Sequence, residues 1–449
     1  MNIKKFLVVR PIFDLLSRLQ GNFAHRILTL SAGMIIGQGI LILLTPILTR
    51  LYSPEEFGVF AIVGGIVALL ATIVAMRFEF AIPICEDEDS ARSVCCLAVV
   101  TTVLMTISVG LGIWFIGTKL AQELGTPDIE PLLWFVPLAL FAWGIGSILN
   151  YWALRQGRFR AKSFNPIIQY SVQGTSQVSL GLAGMTGIGL VIGLAVGHFL
   201  RMIHFIWIVP RREWHGFVER ASWTTFGRSF REHWRYPVFV GSSSLFTTAI
   251  QLLPVILISA LYGPVLAGMF GLTQRVVALP TRLISDAASQ AFVFQGRNYE
   301  PNEFHRFFKR TSLAFFVLAL IILSPLLVAG PDLFGFVFGE QWTRAGSIAQ
   351  LLVPINAARF VFAPVSQSLN IVGRQEFHVI ATGLLMLALV ASFGAGWWFE
   401  LEAMQTIMVY SFGSTTCYLV YFIAAWQQSG KPPRRQTSIQ TNEHISSIN

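Results

Sequence analysis

The sequence predicts an all-α integral membrane protein of about 12 transmembrane helices, arranged as two parallel six-helix repeats. Three observations predict it. The 449-residue chain is 54% hydrophobic and only 12% charged, against about 25% charged in ordinary soluble domains. Apolar stretches of roughly 20 residues recur along it, each long enough to cross a hydrocarbon core about 30 Å thick as a helix, and none alternates with the period of two that a spanning barrel requires. Finally, LYSPEEFGVF at 51–60 returns as LYGPVLAGMF at 261–270.

Apolar runs bounded by charges, Pro or Gly place helices at 28–49, 59–76, 95–117, 131–150, 166–184 and 188–208 in a first half. A second half holds 237–260, 265–287, 311–330, 346–370, 376–397 and 403–426. The polar run QYSVQGTSQ dilutes the fifth helix, and only MTGIG separates it from the sixth. This divides the chain into an N-terminal segment 1–27, a bundle 28–208, a basic linker 209–236, a bundle 237–426 and a polar tail 427–449. In the first of these, Arg10 and Pro11 interrupt the short apolar run before a secretory core develops, so it reads as an uncleaved segment lying on the membrane surface. The tail, rich in Pro and Ser, reads as disordered.

Lys and Arg fix the orientation. Most fall at the N-terminus, at 155–162, in the linker, at 297–310 and in the tail, whereas only Arg50, Lys119 and Arg344 fall on the other side. The positive-inside rule therefore puts both termini in the cytoplasm. The net charge of +9 is then topological, and the basic loops lack any groove-reading pattern, so nucleic acid is not implied. The acidic CEDEDSAR at 85–92 reads as a solvated loop. Cys85, Cys95, Cys96 and Cys417 offer no ligand spacing, and neither a disulfide framework, a metal nor a cofactor is implied.

Between the two copies of the motif, Leu51/Leu261, Tyr52/Tyr262, Pro54/Pro264, Gly58/Gly268 and Phe60/Phe270 stand at identical offsets. Six crossings lie between equivalent points, and an even number preserves direction. The halves are then parallel repeats related by an axis along the membrane normal, with a site expected where they face each other near the midplane. A plainer reading also stands: a good helix-to-helix turn used twice.

Charges near the midplane are basic. Arg275 lies about ten residues into its helix, roughly 15 Å deep at ~1.5 Å per residue, and Arg359 lies about thirteen residues into 346–370. A central Arg costs about 2.5–3.5 kcal/mol even on the lenient insertion scale, so both should face a wet cavity or, as structural arginines, bond backbone carbonyls. Arg282 follows Arg275 on the same face with Asp286 as a potential partner, and Arg77 ends the second helix. Gln38, Gln274 and Asn356 complete the candidate lining, although an isolated Gln or Asn more commonly bonds between helices. His198, Arg201 and His204 read as an interfacial set that snorkels. No Asp or Glu sits at mid-depth on this topology. A cavity of that kind suits an anion, and Arg offers phosphate bidentate hydrogen bonds; a cation-coupled drug antiporter would want a buried carboxylate. Proton or sodium coupling would normally use a buried carboxylate; Glu79 and Asp286, at inner helix ends, are the only modest candidates, and the coupling ion is assigned no residue. The outward loops are short and no nucleophile-base pair stands out, so no enzyme is expected.

The segments RLYSPEEFGVFAIVGGIVALLATIVAMRFEFAIPI, NYWALRQGRFR, GMFGLTQRVVALPTRLI and FVFGEQWTRAGSIAQLLVPINAARFVFAPVSQSLNIVGRQ resemble landmarks of bacterial oligosaccharide flippases. These form the polysaccharide-transport group of the multidrug/oligosaccharidyl-lipid/polysaccharide (MOP) exporter superfamily. The resemblance covers roughly residues 28–425. It implies two six-helix bundles in a V-shaped, alternating-access fold of the bacterial inner membrane. They would enclose a cationic cavity for the diphosphate and sugars of an undecaprenyl-linked oligosaccharide destined for O-antigen, capsule or exopolysaccharide, with polymerase and assembly proteins as partners beside membrane lipids. Arg275 and Arg359 match the cavity role by depth. Peptidoglycan-precursor flippases of the superfamily usually carry two further helices.

Overall fold

The computed structural model describes residues 22–126, 129–210, 213–214, 217, 223–296, 299–374 and 376–430. Side chains at 22–31, 223–225, 278–280, 282–283, 286–287 and 291 fall outside that description, as do most of the expected N-terminal segment and tail. Six helices build the first bundle: α1 (Asn22–Leu51), α2 (Pro54–Ala71), α3 (Glu88–Glu123), α4 (Phe135–Arg155), α5 (Phe159–Leu182) and α6 (Gly187–Ile208). The amphipathic α7 (Trp223–His233) lies in the linker. The second bundle holds α8 (Ser242–Tyr262), α9 (Pro264–Thr273), α10 (Leu279–Gly296), α11 (Pro301–Phe338), α12 (Thr343–Ser366), α13 (Glu376–Trp398) and α14 (Ala403–Ser429). No strand occurs among the described residues.

Among the described residues, ten helices are long and apolar enough to cross a membrane. The two other expected spans are present but do not meet that measure, each for a physical reason. In α5, Asn165, Gln169, Gln173 and Gln177 recur every fourth residue and are all buried, forming a polar ladder against α6. Gly193 and Gly197 let that ladder in: a Cβ at Gly193 would stand 2.4 Å from Gln177 Cγ, and one at Gly197 2.9 Å from Gln173 Cβ. The second case is α9–α10, interrupted by a π-helical turn at Gln274–Ala278. Pro280 lacks the N–H that would bond the carbonyl of Val276, which favours such a break.

Both bundles connect their helices in the same order. In the first, α3 packs on α4, α4 on α6, α5 on α6 and α1 on α5; in the second, α11 packs on α12, α12 on α14, α13 on α14 and α8 on α13. The repeated tyrosines obey the same equivalence. The Tyr52 hydroxyl donates to the Gln177 carbonyl at 2.7 Å, in the α5–α6 hairpin, and the Tyr262 hydroxyl donates to the Leu401 carbonyl at 3.0 Å, in the α13–α14 hairpin. A turn merely used twice would not seat both tyrosines in equivalent hairpins, so the halves are parallel repeats.

The two motif copies meet each other. At the end of the molecule that carries both Leu-Tyr-x-Pro turns, here the motif end, α2 crosses α9 with almost no space between backbones. A Cβ on Gly58 would stand 1.9 Å from the Pro264 carbonyl oxygen, and a Cβ on Gly268 1.9 Å from that of Pro54. Prolines open both helices, and Ser53 and Glu56 close a capping box on the first of them, which removes the Ser53 N–H from the α1 hydrogen-bond ladder. The Thr49 carbonyl instead accepts from Gln341 Nε2 and Trp342 Nε1, each at 2.9 Å, across the bundle boundary, and Phe57 meets the Trp342 ring edge-on at 5.0 Å.

At the opposite, basic end, the acidic stretch is held rather than free. Asp87 caps α3, and Arg155 donates to the carbonyls of Ile82, Cys85 and Asp87 at 3.0, 2.7 and 2.9 Å. Glu213 anchors the start of the linker by accepting from Trp152 Nε1 at 2.8 Å and pairing with Arg158.

Candidate functional site: a cationic cavity between the bundles

Between the bundles lies a cavity of about 660 Å³. Its two walls differ in chemistry. The first bundle offers Phe57, Phe60, Ala61, Gly64 and Gly65 of α2 with Leu41 and Leu194, and Gln173 as a polar member. The second offers Gln274 and Arg275 from the π-turn, Asn356 and Arg359 from α12, His378 from α13 and three tyrosines from α14. Arg275 and Arg359 are the only Lys or Arg in the lining among the described residues, and no Asp or Glu joins them.

The π-turn places Arg275. Eleven residues beyond Pro264, it stands about 16 Å along the α9 axis. Its two terminal guanidinium nitrogens are buried with no hydrogen-bond partner among the described residues, so it does not bond backbone carbonyls as a structural arginine would. A buried donor left unmade costs about 1–3 kcal/mol, more when charged, and such a group in a native fold calls for an explanation. Arg359 sits in α12 between Pro354 and Pro364, half-buried and with no ion pair or hydrogen bond among the described residues. Pro364 cannot donate to the Phe360 carbonyl, which accepts instead from Ser285 of α10 at 3.4 Å; this ties α12 to the helix below the π-turn. Asn356, one turn before Arg359, returns its Nδ2 to the Leu352 carbonyl at 2.9 Å.

Four of the seven residues expected to line a cavity therefore converge: Arg275, Arg359, Gln274 and Asn356. Gln38 does not join them, for α1 presents Leu41, three residues on, to the cavity. Arg282 stands on α10 seven residues past Arg275, and its side chain, like that of Asp286, is outside the described residues. Arg77 is elsewhere too: it adopts a left-handed conformation, φ 61°, and pairs with Glu79 at 3.6 Å. His198, Arg201 and His204 do not snorkel. They face the α5 ladder, His204 meeting Asn165 at 3.0 Å, His198 meeting Gln169 at 3.3 Å and Arg201 reaching Gln169 Oε1 at 3.5 Å. Sequence reasoning missed the tyrosine face of α14, whose signal was its i, i+4, i+8, i+11 spacing.

Glu79, only 1% exposed, leaves Oε2 buried without a partner. Burial raises its carboxyl above the usual range, against the pull of Arg77, and Tyr151 of α4 lies within electrostatic reach. A raised carboxyl binds its proton more readily folded than unfolded, so its contribution to stability is present below the unfolded value and is lost as pH rises through the folded one. Glu79→Gln is expected to flatten that loss, measured as thermal unfolding in detergent from about pH 4 to pH 8. A slope identical to that of the wild type would contradict it.

The fold and cavity together define a multi-pass α-helical membrane protein built from two parallel repeats that face a shared cavity. An inward-facing multidrug resistance MATE family transporter of the MOP superfamily superposes with TM-score 0.67 at 14% identity, over 90% of this chain and 98% of that one. The lipid II flippase MurJ in an inward closed conformation superposes with TM-score 0.68 at 11% identity, over 89% of both chains. Identities this low speak for fold alone. Residues 47–347 match the family described as polysaccharide biosynthesis protein, and the chain belongs to it. The succinoglycan biosynthesis transport protein ExoT of Rhizobium meliloti (strain 1021) is 24% identical over 335 residues, 70% of this chain and 62% of that protein. The teichuronic acid biosynthesis protein TuaB of Bacillus subtilis (strain 168) is 24% identical over 193 residues, 42% of this chain and 39% of that protein. The matched region thus spans less than two thirds of either relative.

Proposed function

We propose that the protein is a flippase for a polyprenyl-diphosphate-linked oligosaccharide, moving it across the bacterial inner membrane by alternating access for surface polysaccharide synthesis. The observation that carries this reading is the unpartnered Arg275 guanidinium, set with Arg359 in a cavity between two repeats. A diphosphate supplies the acceptors that Arg275 lacks, and each guanidinium suits one phosphate group bidentately. The membership of a polysaccharide biosynthesis family, and relatives named for succinoglycan transport and teichuronic acid synthesis, support a saccharide cargo. By the positive-inside rule both termini and the basic end lie in the cytoplasm. Cargo then enters there, and its lipid tail stays in the bilayer while the charged head group is screened from hydrocarbon.

The MATE likeness raises a drug antiporter as the rival, but the cavity offers a cation no carboxylate among the described residues. The deciding experiment is reconstitution in liposomes with a fluorescent polyprenyl-diphosphate oligosaccharide. Quencher added outside should reach the glycan in a time-dependent way that empty liposomes do not show. Equal rates with and without protein would refute the reading.

A further inference from the structure

Along α14, Tyr410, Ser414, Tyr418 and Tyr421 all line the cavity. Their spacing puts them on one helical face about 16 Å long, in the same cavity lining as Arg359. Two neighbours complete the surface. Phe362 of α12 stands 4.3 Å from Tyr421 and 6.3 Å from Tyr418, ring centroid to centroid, and His378 of α13 is engaged through Nδ1 by the Tyr421 hydroxyl. His378 Nε2 is then buried without a partner. The Tyr418 hydroxyl makes no hydrogen bond among the described residues, and its side chain is half-buried.

We infer that this aromatic face is a glycan-binding wall, continuous with the diphosphate site at Arg275 and Arg359. The inference rests on the flippase reading and assigns the two parts of the head group to separate surfaces. No charged residue of α14 lines this wall, so it does not select a second anion. A polyprenyl chain would cover the rings but leave His378 Nε2 and the Tyr418 hydroxyl unpaired, at a cost of about 1–3 kcal/mol per group. A pyranose satisfies both demands, because its C–H face lies against a tyrosine ring while its hydroxyls reach the polar edges; rings combined with a few placed polar groups are what binding pockets use to fix orientation. The opposite wall is plainer: beside Ala61, Gly64 and Gly65 it offers Gln173 as its polar member and the rings of Phe57 and Phe60. The second bundle therefore supplies both arginines and the tyrosine face of the cavity.

The test measures binding to the purified full-length chain in detergent by titration calorimetry, with two probes: farnesyl diphosphate and farnesyl-diphosphate-linked chitobiose. The wild type should bind the glycosylated probe about tenfold tighter. Tyr418→Ala should erase that difference while leaving farnesyl diphosphate affinity unchanged, and Tyr418→Phe, which keeps the ring but not the hydroxyl, should retain only part of it. Tyr421→Phe, which deletes only the hydroxyl that engages His378, should weaken the glycosylated probe alone. Equal wild-type affinity for the two probes overturns the wall. So does an equal loss of both in Tyr418→Ala, which would put the prenyl chain there. A wild type that binds neither probe takes down the flippase reading as well.

Discussion

Arg275→Gln should abolish net translocation of the lipid-linked probe while raising the thermal stability of the empty protein. The two effects share one cause. The guanidinium is buried with neither terminal nitrogen bonded, so in the empty state it costs free energy that a neutral amide of similar length does not. With a diphosphate present, the same group forms charge-assisted bidentate bonds worth about 1.5–3 kcal/mol each, so its loss should weaken cargo binding about a hundredfold. Arg275→Lys keeps the charge but not the fork and should fall between. Arg359→Gln, at a half-buried site, should cost less stability gain and a comparable share of transport. Arg201 is the internal contrast, for it reaches Gln169 and lies 5.9 Å from the Trp143 ring; Arg201→Gln should lower stability. A structural Arg275 predicts the opposite sign, a drop in melting temperature with transport lost only through poor folding. Melting curves in detergent and liposome transport on the same preparations separate the two.

The position of both arginines along their helices was legible because a helix advances ~1.5 Å per residue, and counting from the helix start gives distance along its axis. Which residues converge was less legible. Rotation about the axis decides whether Gln38 or Leu41 faces inward, and α1 carries too little polar contrast to show it. Arg77 failed differently: its left-handed backbone and pairing with Glu79 arise from how the chain turns after α2, and no spacing encodes that. The π-turn under Arg275 follows from Pro280, yet a proline in an apolar run is equally compatible with a kink. All twelve expected helices are present, ten of them long and apolar enough to cross a membrane among the described residues, since length and bounding charges carried the signal; of the other two, one is polar and one broken. The tyrosine face stayed hidden because aromatic residues on a membrane helix read first as lipid contact or interface belt.

The duplicated motif carries a second large effect. Any side chain at Gly58 or Gly268 must be accommodated where a Cβ would lie 1.9 Å from an opposing carbonyl oxygen; reaching the shortest real Cβ contact, 3.0 Å, moves the backbones apart by at least about 1 Å. Backbone cannot yield as a flexible side chain does, and overpacking of this kind costs about 1–3 kcal/mol. That cost falls only on the state in which α2 and α9 cross closely, so Gly58→Ala and Gly268→Ala should shift the population about tenfold or more toward a conformation open at the motif end. Because both substitutions strain one crossing, the double variant should shift it by less than the sum. Gly64→Ala is the control, since its Cβ would meet only Leu194 Cδ2 at 3.9 Å. The readout is the labelling rate of Phe60→Cys, in a background without the four native cysteines, by an impermeant maleimide added at the motif end. Faster labelling with Gly58→Ala but not with Gly64→Ala makes the crossing the gate that alternating access must open. Unchanged labelling with wild-type transport would leave the repeat a relic of duplication, and would place the moving contact instead at Thr49 and Trp342, where an α1 carbonyl accepts from the second bundle.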